Sequence, residues 1–436
     1  MSLFVSTGGE APAVDLSEAI RQGLAPDGGL YLPRELARID VARLDPDAPL
    51  ADFAAAMLAP IFEGDALAAE LPAICAEAFD FPVPLATPDP ARPGLRALEL
   101  FHGPTGAFKD FGARFLLACF DRIGDAANPL TVLAATSGDT GGAVGCAAEG
   151  RRAVRAVILY PKGRVSPFQE AQLTCWNAPV EALEVDGDFD DCQRLVKGAF
   201  ADPALAQAHN LTSANSINIG RLLPQIAYLA HASLRAKRES GKDAGFIIPT
   251  GNLGHGFAAL YARAMGFPVR PILLATNANR TLADWKASGT YAPRASVATI
   301  ANAMDVGAPS NFERVAALPP EQRKLGVELV TDDQIRDRIR AEYEASGYVW
   351  CPHGATAVEA YARLSDRVRD EVTWIAAATA HPFKFAEIVE PLIGEPVAPS
   401  PALAAIRDRP LAKRSIPARL DALAAALQPR AETRAA

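Results

Sequence analysis

Lys109 stands between Phe108 and Phe111, just past the glycine- and proline-broken run His102-Gly103-Pro104-Thr105-Gly106. A lysine normally keeps its ammonium in water. One bracketed by aromatic rings where a strand gives way to a helix loses solvation, and its pKa falls. The neutral amine is a nucleophile able to form a Schiff base with an aldehyde cofactor. The same residues also suit a lysine that lays its stem over apolar neighbours and keeps its head in solvent.

Two glycine-rich turns add to this. Ala135-Thr136-Ser137-Gly138-Asp139-Thr140-Gly141-Gly142 follows one apolar run, and Pro249-Thr250-Gly251-Asn252-Leu253-Gly254 follows another. Each opens a helix-like segment, so backbone N–H groups converge where an anion could sit. Each also reads as an ordinary helix cap. Neither has the GxxxxGK[ST] spacing of a phosphate-binding nucleotide loop or the GxGxxG spacing of a dinucleotide fold, which disfavours nucleotides. Cys75, Cys119, Cys146, Cys175, Cys192 and Cys351 are scattered without a CxxC pair. They read as reduced, mostly buried thiols, and no His, Asp and Cys cluster has metal spacing.

The elements that must position these residues alternate. Leu130–Ala135, Val154–Tyr160 and Val180–Val185 are short apolar runs, each followed by a turn and a helical segment such as Phe189–Phe200. Phe246–Pro249, Val269–Ala275 and Val372–Ala378 are further buried strands. The pattern predicts parallel sheet with helical crossovers. A long helix is expected from about Asn218 to Arg235, and a capping box of Thr331 and Gln334 opens another that stops near Gly347. Leu16–Leu24 has helical spacing and belongs to a small first unit. That unit ends in the proline-rich stretch from Phe81 to Pro93, which suits neither a regular helix nor a central strand. The last residues, Pro429–Ala436, read as a frayed tail.

At 436 residues the chain exceeds the size at which one core stops growing, so two or three domains are expected. A formal charge of -8 argues against nucleic acid or an anionic membrane as the main partner. Small anionic substrates stay compatible, because local basic residues would hold them. No apolar run reaches about 18 residues, and the start lacks a basic region followed by an apolar one. A cytoplasmic location is the expectation.

Eight stretches, LELFHGPTGAFKDFGARF, TSGDTGGAV, ILYPKGRVSPFQE, VDGDFDDCQ, SANSINIGRLL, PTGNLG, NAMDVGAPSN and TAHPFKF, together resemble threonine synthase. Their order and spacing follow the branch found in many bacteria and yeasts. The opening LSEAIRQGLAPDGGLYLP is similar to the N-terminal domain of those enzymes. The resemblance implies an α/β enzyme of fold type II, tryptophan synthase β-like, using pyridoxal 5'-phosphate. Two parallel-sheet subdomains and a small helical N-terminal domain go with it. Residues 1–90 would form that N-terminal domain and 91–436 the catalytic region, with the smaller subdomain at about 125–215 inserted in the larger.

The activity implied is conversion of O-phospho-L-homoserine and water to L-threonine and phosphate. The cofactor lysine falls on Lys109, which would carry the acid–base work. The loop for the cofactor phosphate falls on Thr250, Gly251, Asn252, Leu253 and Gly254. Asp139 takes the place at which many fold type II enzymes set an asparagine beside the ring hydroxyl. Thr379 would face the pyridine nitrogen, leaving that nitrogen largely neutral. For the substrate phosphate the candidates are Thr140, Lys162, Arg164, Ser213, Asn215, Ser216, Asn218 and Arg221, although Ser216 and Asn218 also suit helix caps. Asp305 is either a site residue or a turn former, and His102 and His381 could shape the pocket or cap a helix.

The chain departs from the family pattern in a few places. Ser6-Thr7-Gly8-Gly9 lacks the usual arginine, Thr250 replaces a serine, Leu253 a phenylalanine, His255 an acidic or amide residue, and Gly106 a larger side chain. No chemical function is lost. The rival reading is a phospho-lyase that releases 2-oxobutanoate, ammonia and phosphate; the two differ in the placing of one water, and their products separate them. A cofactor-binding scaffold without activity is the other alternative. No metal is implied, and a monomer or homodimer is expected, with closure over the substrate.

Overall fold

The structure, a computed structural model, describes residues 2–136 and 138–428. Ser137 of the first glycine turn and the tail from Pro429 lie outside the described residues.

Two parallel sheets carry the site. In the first, the strands run in the order Gly326–Leu329, Val269–Thr276, Ala244–Pro249, Thr373–Ala378, Leu95–Glu99 and Leu85–Ala86, and only the last pairing is antiparallel. Ala376 pairs with Ile247 on one side and with Ala97 on the other, so Thr373–Ala378 is central. It is buried on both faces, as is Ala244–Pro249, and this explains why both read as unbroken apolar runs. In the second sheet the order is Arg414–Pro417, Val180–Asp186, Val154–Pro161, Leu130–Ala135 and Leu211–Thr212, all parallel. Its edge strand Arg414–Pro417 comes from far outside the 125–215 stretch expected to form the smaller unit.

Parallel strands deliver all their exits to one edge, where ligands bind in such sheets. The exits of Leu95–Glu99, Ala244–Pro249 and Thr373–Ala378 are the runs containing Lys109, Gly251 and Thr379. The exits of Leu130–Ala135, Val154–Pro161 and Leu211–Thr212 are the runs containing Asp139, Lys162 and Ser213.

The first unit holds a two-stranded antiparallel ribbon, Phe4–Ser6 with Tyr31–Pro33, and the helices Leu16–Gln22, Leu50–Phe62 and Leu71–Ala78. Its apolar side chains form one hydrophobic cluster with the helices Lys109–Ile123 and Leu223–Ser240. Phe79 lies 6.0 Å from Phe111 and 6.0 Å from Phe115, and Phe81 packs edge-on to Phe111 at 4.8 Å. All six cysteines are unpaired thiols, five of them buried. Among the described residues no helix is long and apolar enough to cross a membrane.

The helix expected from Asn218 is corrected at its start. Asn218 caps a short 3-10 turn, Ile219–Arg221, and the helix begins only at Leu223 with Pro224 in its first turn. The Thr331 and Gln334 capping box is present, with Gly347 in the left-handed conformation at the end of that helix.

Candidate active site

Lys109 is the first residue of the helix Lys109–Ile123. The backbone before it is clamped to the exit of Thr373–Ala378. Phe108 N donates to Thr379 O at 2.9 Å, and His381 N donates to Gly106 O at 2.9 Å. Gly106 has φ +66°, a conformation that glycine adopts without penalty. Gly103 leaves space for Asp110, whose side chain would otherwise meet a Cβ at 2.5 Å. Asp110 accepts from Thr105 N at 2.9 Å and from Thr105 Oγ1 at 2.5 Å, which ties the loop to the first turn of the helix. Burial nonetheless pushes the Asp110 carboxyl up.

The Lys109 side chain is 17% exposed, and its Nζ lies 3.9 Å from Asp139 Oδ2. Burial is the leading reason its pKa is lowered; Asp139 opposes the shift, while Lys384 and Arg221 reinforce it. The solvated reading of this lysine therefore fails. Asp139 is also buried, and burial alone would raise its pKa. Lys384 and Lys109 outweigh that and hold the carboxyl well below its usual range. Lys384 Nζ donates to Asp139 Oδ1 at 2.8 Å and to Thr105 O at 2.8 Å. Sequence reasoning missed Lys384, a lysine flanked by Phe383 and Phe385 within TAHPFKF.

In the loop Thr250–Gly254, Gly251 is required by close approach, since a Cβ there would stand 2.7 Å from Met304 Cα. Leu253 has φ +65°, turning the chain into the helix Gly254–Ala264. Thr250 Oγ1 is buried and has no hydrogen-bond partner among the described residues. A narrow glycine approach, a helix N-terminus and an unpaired hydroxyl fit the phosphate of a cofactor. Asn252 joins the two sheets' loops. Its Nδ2 donates to Ser216 Oγ, its Oδ1 accepts from Ser310 N at 2.6 Å, and its carbonyl accepts from Asn311 Nδ2 at 3.1 Å. His255 stacks on Phe108 with ring centroids 5.1 Å apart, placing this loop beside Lys109.

The proposed substrate residues fall into two groups. Lys162 and Arg164 are exposed in a surface cavity that also holds Asp186, Asp188 and Asp191. Thr140 is half-buried in the first turn of the helix Asp139–Ala148, and Asn215 and Ser216 are half-buried in the Ser213–Asn218 loop. Ser213 Oγ is bonded within that loop to Asn215 N at 3.2 Å. Asn218 is fully buried with its amide committed. It donates to Ile20 O and Ser213 O and accepts from Gly220 N. Arg221 is buried, donates to Ala214 O at 2.5 Å, and packs its Nε against Gly112. Burial lowers its pKa to about 10.

Three other residues take definite roles. Asp305 accepts from Asn277 Nδ2, Thr299 Oγ1 and Thr299 N, organising a loop. His381 Nδ1 accepts from Phe383 N and caps the Pro382–Phe385 turn, while His102 pairs with Glu99 at 2.7 Å. His353, which the sequence reading passed over, is buried near Asp139 and Lys109. Its Nε2 accepts from Ala303 N at 3.1 Å, and burial brings its pKa to about 4. That acceptor fixes the proton on Nδ1, which has no partner among the described residues.

A family model described as pyridoxal-phosphate dependent enzyme matches residues 95–379. With the lysine, the glycine cradle and the two parallel sheets, it defines a pyridoxal-phosphate-dependent enzyme of fold type II. Models described as threonine synthase N terminus and threonine synthase, C-terminal match residues 3–79 and 354–427. The threonine synthase of Escherichia coli is 40% identical over 418 residues, covering 94% of this chain and 95% of its own. That of Haemophilus influenzae is 40% identical over 386 residues, 87% of this chain and 89% of its own. The crystal structure of PLP-bound threonine synthase from Brucella melitensis superposes with a TM-score of 0.90 at 33% identity, over 98% of this chain and 99% of that one. The chain belongs to the threonine synthase family.

Proposed function

We propose that this chain converts O-phospho-L-homoserine and water into L-threonine and phosphate, with Lys109 as the residue that holds the cofactor and moves protons. Pyridoxal phosphate, when bound, supplies the conjugated ring that takes up electron density from the substrate carbon. Lys109 removes a proton from Cα and then from Cβ as phosphate leaves Cγ; a proton goes back to Cγ, which becomes the methyl group, water adds its hydroxyl at Cβ, and a proton returns to Cα. Thr250 to Gly254 hold the cofactor phosphate. Thr379 meets the ring nitrogen with a hydroxyl, which cannot keep a proton there as a carboxylate would.

Thr140, Lys162, Arg164, Ser213, Asn215 and Ser216 are the groups assigned to the substrate phosphate. Asn218 and Arg221 serve that set by shaping the loop. The reading takes residues 1–90 as an N-terminal domain on a catalytic region, 91–436. It includes a cytoplasmic enzyme working as a monomer or homodimer.

The observation that supports it best is a desolvated lysine facing a buried carboxylate where the exits of the two sheets meet. Incubation with O-phospho-L-homoserine, following phosphate and threonine together, tests it. Equal release of both is expected, and Lys109→Ala abolishes both together with the cofactor's visible absorbance. Phosphate accompanied by 2-oxobutanoate and ammonia instead of threonine would establish the phospho-lyase.

A further inference from the structure

A carboxylate directly facing the cofactor lysine poses a problem that the geometry around Asp139 answers. An Asp139 with no other partner would capture Lys109 as a salt bridge and keep it protonated, useless as a nucleophile. The two lysines do not share Asp139 equally. Lys384 Nζ lies 2.8 Å from Oδ1, within hydrogen-bond range, whereas Lys109 Nζ stays 3.9 Å from Oδ2, beyond it. The Lys384 side chain is 1% exposed, and its second bond, to Thr105 O, fixes it to the loop that leads into Lys109. Gln172 Nε2 donates to the same carbonyl at 2.9 Å, so the clamp is built from three segments.

We propose that Lys384 is a positioning residue that holds Asp139 as its own counter-ion, leaving Lys109 without a hydrogen bond to that carboxylate and nucleophilic. The charged and titratable groups around this pair are accounted for. Arg221 from the Ile219–Arg221 turn repels a proton on Lys109. Asp110, on the far side of Thr105, is bonded to Thr105. His353 and Cys351, at the start of the helix Pro352–Ala362, are held neutral by burial. Lys384 is then the one cation among these groups within hydrogen-bond distance of Asp139. The inference rests on Lys109 being the cofactor lysine.

The test titrates Lys109 in the full-length apoenzyme by competitive acetylation with acetic anhydride from pH 6 to 11, read peptide by peptide by mass spectrometry. Lys384→Gln is expected to raise the Lys109 pKa by about one unit or more, so that about tenfold less neutral amine is present at pH 7. Pyridoxal phosphate should then form its coloured adduct about tenfold more slowly. Adding Asp139→Asn to Lys384→Gln should return the titration toward wild type, and Lys384→Arg should preserve it. Circular dichroism confirms that each variant is folded. If Lys384→Gln does not fold, Lys384→Met with and without Asp139→Asn carries the comparison: a Lys109 titration unchanged in folded Lys384→Met overturns the proposal. So does an unchanged Lys109 titration in a folded Lys384→Gln. A wild-type apoenzyme whose Lys109 forms no adduct overturns the assignment of the cofactor lysine instead.

Discussion

Thr379 directly follows a fully buried strand, and its carbonyl holds the residue before Lys109, so a change to its side chain leaves the backbone of the loop in place. Thr379→Asp places a carboxylate where the reading needs a nitrogen without its proton. The expected result is retained cofactor with turnover lowered on the order of 10²-fold, the scale at which proton placement matters in catalysis. Full activity would sink the neutral-nitrogen idea. Arg164 is exposed and bonded to no reacting group, so Arg164→Ala should raise KM several-fold while kcat changes little. Steady-state kinetics in which both are unchanged would remove it from the substrate set. These residues differ in how far the sequence revealed them. Lys109 was legible because a lysine between phenylalanines is chemically out of place. The same signal stands at Phe383-Lys384-Phe385, but there it was read only as a motif around His381. His353 carried no such signal, because a histidine in an apolar helix start looks like any satisfied core histidine. Its unpaired Nδ1 appears only once Ala303 is brought against Nε2 across 50 residues.

Elements were legible where burial is two-sided. Leu130–Ala135 has the bounds its apolar run suggests, and the helix after Thr331 starts and stops at its cap residues. Gly326–Leu329 and Arg414–Pro417 were invisible because they are edge strands, partly exposed and carrying Glu328 and Arg414, so neither forms an apolar run. The helix expected from Asn218 was misplaced because its periodic apolar pattern overrode Pro224, which marks a first turn. The loop at Thr250–Gly254 is the element to which the proposed function gives the cofactor phosphate. Its Gly251 abuts backbone atoms of Met304, which unlike a side-chain tip cannot swing aside. Gly251→Ala should therefore shift the loop at a cost of about 1–3 kcal/mol. If that strain falls on the cofactor-bound conformation, affinity for pyridoxal phosphate drops roughly tenfold or more, read by fluorescence titration. Wild-type affinity in this variant would show that the loop does not set the cofactor's position.

At the scale of the molecule, the first unit is latched to the catalytic body by buried polar groups as well as by a shared core. Arg314 is fully buried and donates to Tyr31 O, Asn311 Oδ1 and Ile217 O, linking the N-terminal ribbon to the Ser213–Asn218 loop. His231, on the helix Leu223–Ser240, donates to Pro46 O at 2.9 Å and packs on Phe53 at 4.6 Å. Burial, helped by Arg235, brings its pKa to about 4, while His255, His353 and His381 are lowered by burial to about 3, about 4 and about 4. In the unfolded chain each titrates near 6.5. Between that pH and about 4 the unfolded state binds protons that the native state refuses, so stability rises with pH and is lost on acidification. For His231 alone the loss approaches about 3 kcal/mol by pH 4. Carboxylates freed from their partners add a loss of the same sign, so the informative quantity is a difference between variants. His231→Gln keeps a donor for Pro46 O but cannot charge. Urea unfolding at pH 7 and at pH 4.5 should show wild type losing more stability across that interval than His231→Gln, by about 2 kcal/mol. Equal losses would mean that His231 is not the group whose charging loosens the first unit from the helix that supports the site.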